Sequence, residues 1–319
     1  MKIPTIDLID DELVEDCDYQ FIAIKDNERS NKILSFDKYR AKVKILFVCF
    51  SSNHILKNII STIQNSNSES DYIAICANQK NYKDITIYKY KNGFYEESIK
   101  LVDFIELIEE SKVSIDTTAF NEQHLFRILE QLRDKSNEIS LIYAEPKNYK
   151  YGDLLFYDYK KYLSSFTGDE LTGRIKSDST EDLYIFVLGF DRGMTDFVVK
   201  ELDPQNISII NGFPGYLPKN KDISILNNID ILNKNPKVYY AQANNPFKVY
   251  NAINDIILRE KITSENSITI VPLGTRPMFI GAAIYAILNS NVRVFSVSSS
   301  KCNNESVGVN KVWRYIFKL

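Results

Sequence analysis

The chain has 319 residues, 44% of them hydrophobic and 25% charged, with a formal net charge of -3. That length suits two domains, and that composition suits packed globular structure rather than disorder. The lack of a basic excess argues against duplex nucleic acid as a partner. No apolar run reaches the roughly 20 residues that cross a bilayer, and the amino terminus turns acidic without the apolar core of a secretory signal. Cys17, Cys49, Cys76 and Cys302 are scattered with no Cys-x-x-Cys pair, which predicts a reduced, cytoplasmic setting without a zinc site. No other metal and no cofactor is expected, and no membrane partner.

Taken in chain order, Tyr19–Ile24 alternates as a strand and the polar run Lys25–Ser30 suits a helix start. A strand Val43–Phe50 follows, then Ser51–Asn53, then a helix with Leu56, Ile59, Ile60 and Ile63 on one face. Tyr72–Ala77 and Ile85–Tyr90 read as strands, and Leu101, Phe104, Ile105 and Ile108 as a helical stripe. The strand ending at Asp116 leads into a helix bearing Leu125, Ile128, Leu129 and Leu132, and Ile139–Ala144 is the next strand. Strands alternating with helices of this length predict parallel βαβ units, because a parallel pair needs a long crossover.

The same order returns further along. Tyr184–Phe190 is a strand, and Asp191–Met194 opens a helix with Phe197, Val198 and Leu202. Ile207–Ile210 ends in a turn, Asn211–Gly215, and Lys237–Ala241 is a strand before the stripe Val249, Ala252, Ile253, Ile256. Ser267–Pro272 precedes an amphipathic pattern at Ile280, Ala283, Ile284 and Ile287, then the strand Val292–Val297. The tail Lys311–Phe317 alternates as an added edge strand.

The expected fold is therefore α/β: two tandem Rossmann-like three-layer domains with mainly parallel sheets. The expected boundaries are a first half over residues 1–147, an aromatic-rich connector over 148–181, and a second half over 182–319. Tyr19–Ser30 pairs with Tyr184–Thr195, Ile85–Ile108 with Lys237–Arg259, Val113–Leu132 with Ile268–Leu288, and Ile139–Lys147 with Val292–Lys301. Internal duplication is one reading of this parallel; a shared element order without common descent is the other.

Open parallel sheets bind ligands outside the carboxyl ends of their strands, where helix N-termini offer backbone N–H groups. That rule selects Gly274, Thr275 and Arg276: a glycine for close backbone approach, a hydroxyl for a helix cap or an anion, and a guanidinium for phosphate or carboxylate. It also selects Asp116, Thr117 and Thr118, which suit a ribose hydroxyl or, equally, a local Asp/Thr turn. Asp191-Arg192 and Glu28-Arg29 occupy the same place in each half, as ligand contacts or as ion pairs at helix starts. Tyr143, Glu145 and Lys147 at a strand end suit a base or sugar, or a surface turn before Pro146. The histidines are His54 and His124, neither within a catalytic motif. The P-loop pattern and G-x-G-x-x-G are absent. Should the halves face one another, all these loops share one cleft.

Ile270–Ala283 resembles the glycine-threonine-lysine-proline loop and following helix of CRISPR-associated Rossmann-fold (CARF) sensor domains, with Arg276 where that pattern has Lys and Leu273 where it has a Gly. Ser114–Phe120 resembles the aspartate-isoleucine-threonine segment of related sensors, with Thr117 in the middle place. The resemblance implies binding of a cyclic oligonucleotide, or another nucleotide or anionic small molecule, at strand carboxyl ends, usually across a symmetric homodimer. It further implies that two halves of one chain can act as a pseudo-dimer, with a partner protein carrying any effector activity.

The expectation is thus a nucleotide-binding protein of a bacterial antiviral defence system. An enzyme of transferase or hydrolase type on nucleotides or sugar phosphates is the alternative, with Glu28, Asp116, Asp191 or Glu145 as acid–base groups. A structural adaptor of a defence complex is the third reading.

Overall fold

The structure is a computed structural model that describes residues 4–8, 16–24, 40–48, 71–76, 86–91, 94–118, 120–135, 137–149, 166–174, 182–260, 266–299 and 306–319. The expected helix at Leu56–Ile63, and the loops holding Glu28, Arg29 and His54, lie outside those residues. The chain divides into two compact units. The first comprises Met1–Asn148 with Ser306–Leu319, the second Tyr149–Glu305.

The first unit contains β1 (Thr5–Leu8), β2 (Asp16–Ile24), β3 (Arg40–Val48), β4 (Asp71–Cys76), β5 (Thr86–Lys91), β6 (Phe94–Lys100), α1 (Leu101–Leu107), β7 (Lys112–Asp116), α2 (Glu122–Gln131) and β8 (Glu138–Tyr149). The second unit contributes β9 (Phe166–Glu170), β10 (Leu183–Val187), α3 (Arg192–Leu202), β11 (Asn206–Gly212), α4 (Asn220–Asn227), α5 (Ile229–Leu232), β12 (Lys237–Ala241), α6 (Pro246–Arg259), β13 (Ile268–Pro272), α7 (Arg276–Leu288) and β14 (Val292–Ser299). The chain ends with β15 (Ser306–Phe317).

The first sheet has the order β1-β15-β8-β7-β2-β3-β4-β5-β6. Its middle five strands, β8-β7-β2-β3-β4, are parallel. The second sheet has the order β12-β11-β10-β13-β14-β9, parallel except for β9, which runs antiparallel along β14. Both parallel cores share one winding: the first strand in sequence lies centrally, the next two extend to one side, and the later two to the other. This is a mixed α/β fold with mostly parallel sheets, as the alternating pattern predicts. The first sheet departs by an antiparallel β5–β6 pair. The strand placed like β12 is therefore β4, not the Ile85–Tyr90 segment paired with it on sequence order.

The two cores also share a local device. Asp18 Oδ2 accepts the backbone N–H of Lys112 at 2.9 Å, and Asp182 Oδ1 accepts that of Ser267 at 3.0 Å. In each unit an aspartate one residue before the pairing of the central strand with its neighbour begins thus satisfies a donor at the start of that neighbouring strand.

The second core follows from composition. β10 (LYIFV) and β13 (ITIVP) are buried along their whole length, as continuous apolar strands of a parallel sheet covered on both faces must be. α7 is buried from Pro277 to Ile287. The amphipathic face expected at Ile280, Ala283, Ile284 and Ile287 understates it, because this helix is apolar all round and belongs to the interior. Gly281 permits that burial: a Cβ there would lie 2.2 Å from the carbonyl oxygen of Pro246, so α6 and α7 cross with backbones nearly touching.

Arg174 closes the far end of α7, its Nη1 donating to the carbonyls of Ala286 and Asn289 at 3.2 and 2.6 Å, and to that of Val292. A cation at a helix C-terminus satisfies orphan acceptors and the dipole together. Arg174 and β9 fall in the segment expected to be a connector, yet both pack as parts of the second unit's sheet and helix layer.

The tail corrects another expectation. β15 is not an added edge on the second half; it lies inside the first sheet, between β1 and β8. Tyr315 and Phe317 are fully buried, and Arg314 Nη2 reaches Asp7 Oδ2 at 2.8 Å. No helix among the described residues is long and apolar enough to cross a membrane.

Candidate functional site

In the second sheet the winding reverses between β10 and β13, the topological switch point of a doubly wound sheet. Two loops leave the sheet there, Leu188–Asp191 after β10 and Leu273–Thr275 after β13. They touch through their backbones. A Cβ on Gly189 would lie 1.8 Å from the carbonyl oxygen of Leu273, and one on Gly274 would lie 3.2 Å from that of Leu188. Asp191, Arg192, Gly274, Thr275 and Arg276 are thus gathered at one rim of one unit, each at the start of a helix.

Their roles separate. Asp191 caps α3, its Oδ1 accepting the N–H of Met194 at 3.3 Å. Arg192 turns to Asp196, at 3.6 Å, and to Asp230. It is occupied by carboxylates, the ion-pair alternative raised from sequence. Thr275 stands at the N-cap of α7 but makes no capping bond; its hydroxyl donates to the carbonyl of Ala243. Gly274 lets the loop lie against Leu188 and Met278 rather than opening space. Arg276 is half-buried, its guanidinium carbon 5.8 Å from the centre of the Phe279 ring.

The electrostatic consequence is an asymmetry between the two helix starts. At α3 the Asp191 carboxylate already offsets the positive end of the helix dipole. At α7 there is neither a side-chain cap nor an acidic residue in the first turn, and Arg276 adds a positive charge. An anion at this rim is therefore favoured at the start of α7.

A buried polar network that sequence reading missed holds the first loop in place. Ser224 Oγ and Asn228 Nδ2 donate to the carbonyl of Gly189 at 2.9 and 3.0 Å, and Asn227 Nδ2 donates to that of Phe190 at 2.6 Å. Thr195 Oγ1 in turn bonds Asn228 Oδ1 at 2.5 Å. The available signal was the polar trio Ser224, Asn227 and Asn228 in α4 and at its C-cap, spaced to face one way among Ile223, Ile225 and Leu226.

In the first unit, the corresponding rim follows β7. Asp116 is buried and its Oδ1 accepts the N–H of Thr118 at 2.9 Å. Thr117 donates both its backbone N–H and its hydroxyl to the carbonyl of Ile142, at 2.8 and 2.9 Å. Thr118 Oγ1 accepts from Ala144 N at 3.0 Å. Thr117 and Thr118 thus extend the β7–β8 pairing past the strand end, and Asp116 holds the turn between them. Asn121 caps α2 through Gln123 N at 2.7 Å, and Glu122 in the first turn offsets its dipole. Among the described residues, the first unit's rim therefore lacks the uncompensated helix start found in the second.

Glu145 is not at a strand end, because β8 continues to Tyr149. It is buried, and its two carboxylate oxygens accept from Asn310 Nδ2 and Trp313 Nε1, both at 2.7 Å. It clamps β15 rather than facing a ligand. His124 is buried in α2, and burial lowers its pKa to about 4, which keeps the imidazole neutral near pH 7. Because the unfolded chain titrates near 6.5, it binds more protons than the folded one between pH 6.5 and 4. Stability should therefore fall as pH drops through that window, by about 3 kcal/mol in total from this group. Urea melts from pH 7 to 4 should show a flatter dependence in His124→Leu; an unchanged slope would refute the assignment. No cluster of metal-ligating side chains occurs among the described residues.

The chain matches no family model and no curated protein sequence. Among solved structures it is similar to a Type III CRISPR defence DNA nuclease activated by cyclic oligoadenylate, with a TM-score of 0.50 at 8% sequence identity, covering 92% of this chain and 68% of that one. At that identity the likeness concerns the fold, an α/β architecture spanning nearly the whole chain.

Proposed function

We propose that the chain binds a nucleotide, or a closely related phosphate-bearing small molecule, at the switch point of its second unit, as a sensing component of a bacterial antiviral defence system. The observation that carries this reading is the uncapped start of α7 beside Gly189 and Gly274, with Arg276 at its first position. A helix start with no acidic residue in its first turn, joined to a guanidinium, suits phosphate oxygens. The fold likeness to a defence nuclease activated by cyclic oligoadenylate supports cyclic oligoadenylates as the first ligands to try. The CARF-like segment Ile270–Ala283 falls on this same rim.

Calorimetry of the full chain against cyclic and linear oligoadenylates and mononucleotides tests the proposal. Saturable heat is expected from at least one of them. Arg276→Ala should weaken that ligand by roughly tenfold to a hundredfold, the size of a lost charge-assisted hydrogen bond. An absence of heat from every ligand overturns the reading; so does an Arg276→Ala variant that binds as tightly as the parent.

A further inference from the structure

Beside that rim lies a pair of rings with no role in packing the core. Phe213 directly follows β11 and Tyr240 is the penultimate residue of β12. They are 51% and 52% exposed, and their rings meet edge to face with centroids 6.2 Å apart. Lys221, in the first turn of α4, places its ammonium 5.4 Å from the centre of the Phe213 ring. That ammonium also lies 3.4 Å from Asp222 Oδ1, an exposed pairing of the kind that holds a lysine only weakly.

The rings are tied to the switch point through backbone hydrogen bonds. Phe213 N donates to Ala241 O at 2.7 Å, and Ala243 N donates to Pro214 O at 3.0 Å. The carbonyl of the same Ala243 accepts the Thr275 hydroxyl at the start of α7. Gly212 packs alongside, a Cβ there lying 3.1 Å from Ala243 Cβ and 3.4 Å from Met278 Sδ. The loops after β11, β12 and β13 therefore form one hydrogen-bonded ledge. Its anion-receptive end is at Arg276, and its aromatic end is at Phe213.

We propose that Phe213 and Tyr240, with Lys221 beside them, are a stacking platform for a nucleobase of the ligand held at α7. This inference rests on the nucleotide reading above and adds the group that recognises the base. An exposed aromatic face next to a cation suits a flat heterocycle carried on a phosphate backbone, since every base offers a π face. A protein partner would need a broader apolar area than two rings supply.

The test uses the full chain with cyclic tri-, tetra- and hexa-adenylate, AMP and inorganic triphosphate as probes. It compares the parent with Phe213→Leu and Tyr240→Leu, which keep apolar bulk and remove the π face. Both residues are exposed, so the variants should melt within about 2 °C of the parent. The expected result is a tenfold or greater loss of affinity for the adenylates in each variant, with triphosphate binding unchanged. Affinities within twofold of the parent would overturn the platform and leave the nucleotide reading standing. A parent that binds none of the adenylates overturns the platform as an adenine site, and overturns the nucleotide reading too when the other mononucleotides also give no heat. A shift in oligomeric state on size exclusion, with ligand affinity unaltered, would identify the rings as a protein contact and likewise overturn the platform.

Discussion

A chain ending at Glu305 is expected to lose the cooperative structure of the first unit, although only 14 residues, Ser306–Leu319, are removed. β15 is an interior strand, so its loss exposes the ladder edges of both β1 and β8. It also removes the buried side chains Val312, Tyr315 and Phe317. At 1.5–3 kcal/mol for each large apolar side chain, that burial alone is worth about 6 kcal/mol, within the range of a whole domain's net stability. Glu145 would lose both of its donors, Asn310 and Trp313.

Hydrogen exchange checks this directly: protection at Val113–Asp116 should disappear in the truncated chain, and its survival would refute the argument. A milder variant isolates the clamp. Glu145→Leu takes the acceptor from the exposed Asn310 amide and the partly buried Trp313 indole N–H, and should cost about 1–2 kcal/mol. Trp313 is the protein's only tryptophan, so its fluorescence reports the unfolding of this unit without labelling.

Gly189→Ala is the second variant with a large expected effect. The added methyl would sit 1.8 Å from the carbonyl oxygen of Leu273 and 2.8 Å from its carbonyl carbon, both backbone atoms that cannot rotate away. Relief requires separating the two switch-point loops, which Ser224, Asn227 and Asn228 hold from one side and the Leu273 N–H to Val187 O bond, at 2.9 Å, from the other. A cost of about 3 kcal/mol or more in the second unit is expected, together with loss of ligand binding. Gly173→Ala is the control: its φ of 68° carries backbone strain, but a Cβ there meets nothing within 4 Å. A substitution there should cost about 1 kcal/mol and leave binding intact. Thermal melts and calorimetry of the two variants separate a steric wedge from a general intolerance of alanine; equal effects would refute the wedge.

Much of the fold was legible because buried parallel strands write themselves as short apolar runs. Leu183–Val187, Ile207–Ile210 and Ile268–Pro272 needed no tertiary information. The loops at their carboxyl ends were legible for the same reason, since βαβ winding sends every such loop to one rim. The polar residues of those loops did not disclose their partners. Thr275 reads as a helix cap in sequence, and in the structure its hydroxyl serves Ala243, 32 residues away. Thr117 and Thr118 read as donors to a ligand; in the structure the Thr117 hydroxyl donates to the carbonyl of Ile142, and Thr118 Oγ1 accepts the N–H of Ala144.

By itself the sequence determined the alternation of strand and helix, and hence parallel sheets whose rims carry Asp191, Gly274, Thr275 and Arg276. These follow from local periodicity and from the length a parallel crossover demands. Only the tertiary structure decided that β15 returns to the first sheet, that β9 joins the second, and that α7, unlike α3, starts without a side-chain cap. Each of those depends on pairing between distant segments, where the partner of a strand edge or a helix start is whichever group arrives there, and no local pattern encodes the arrival.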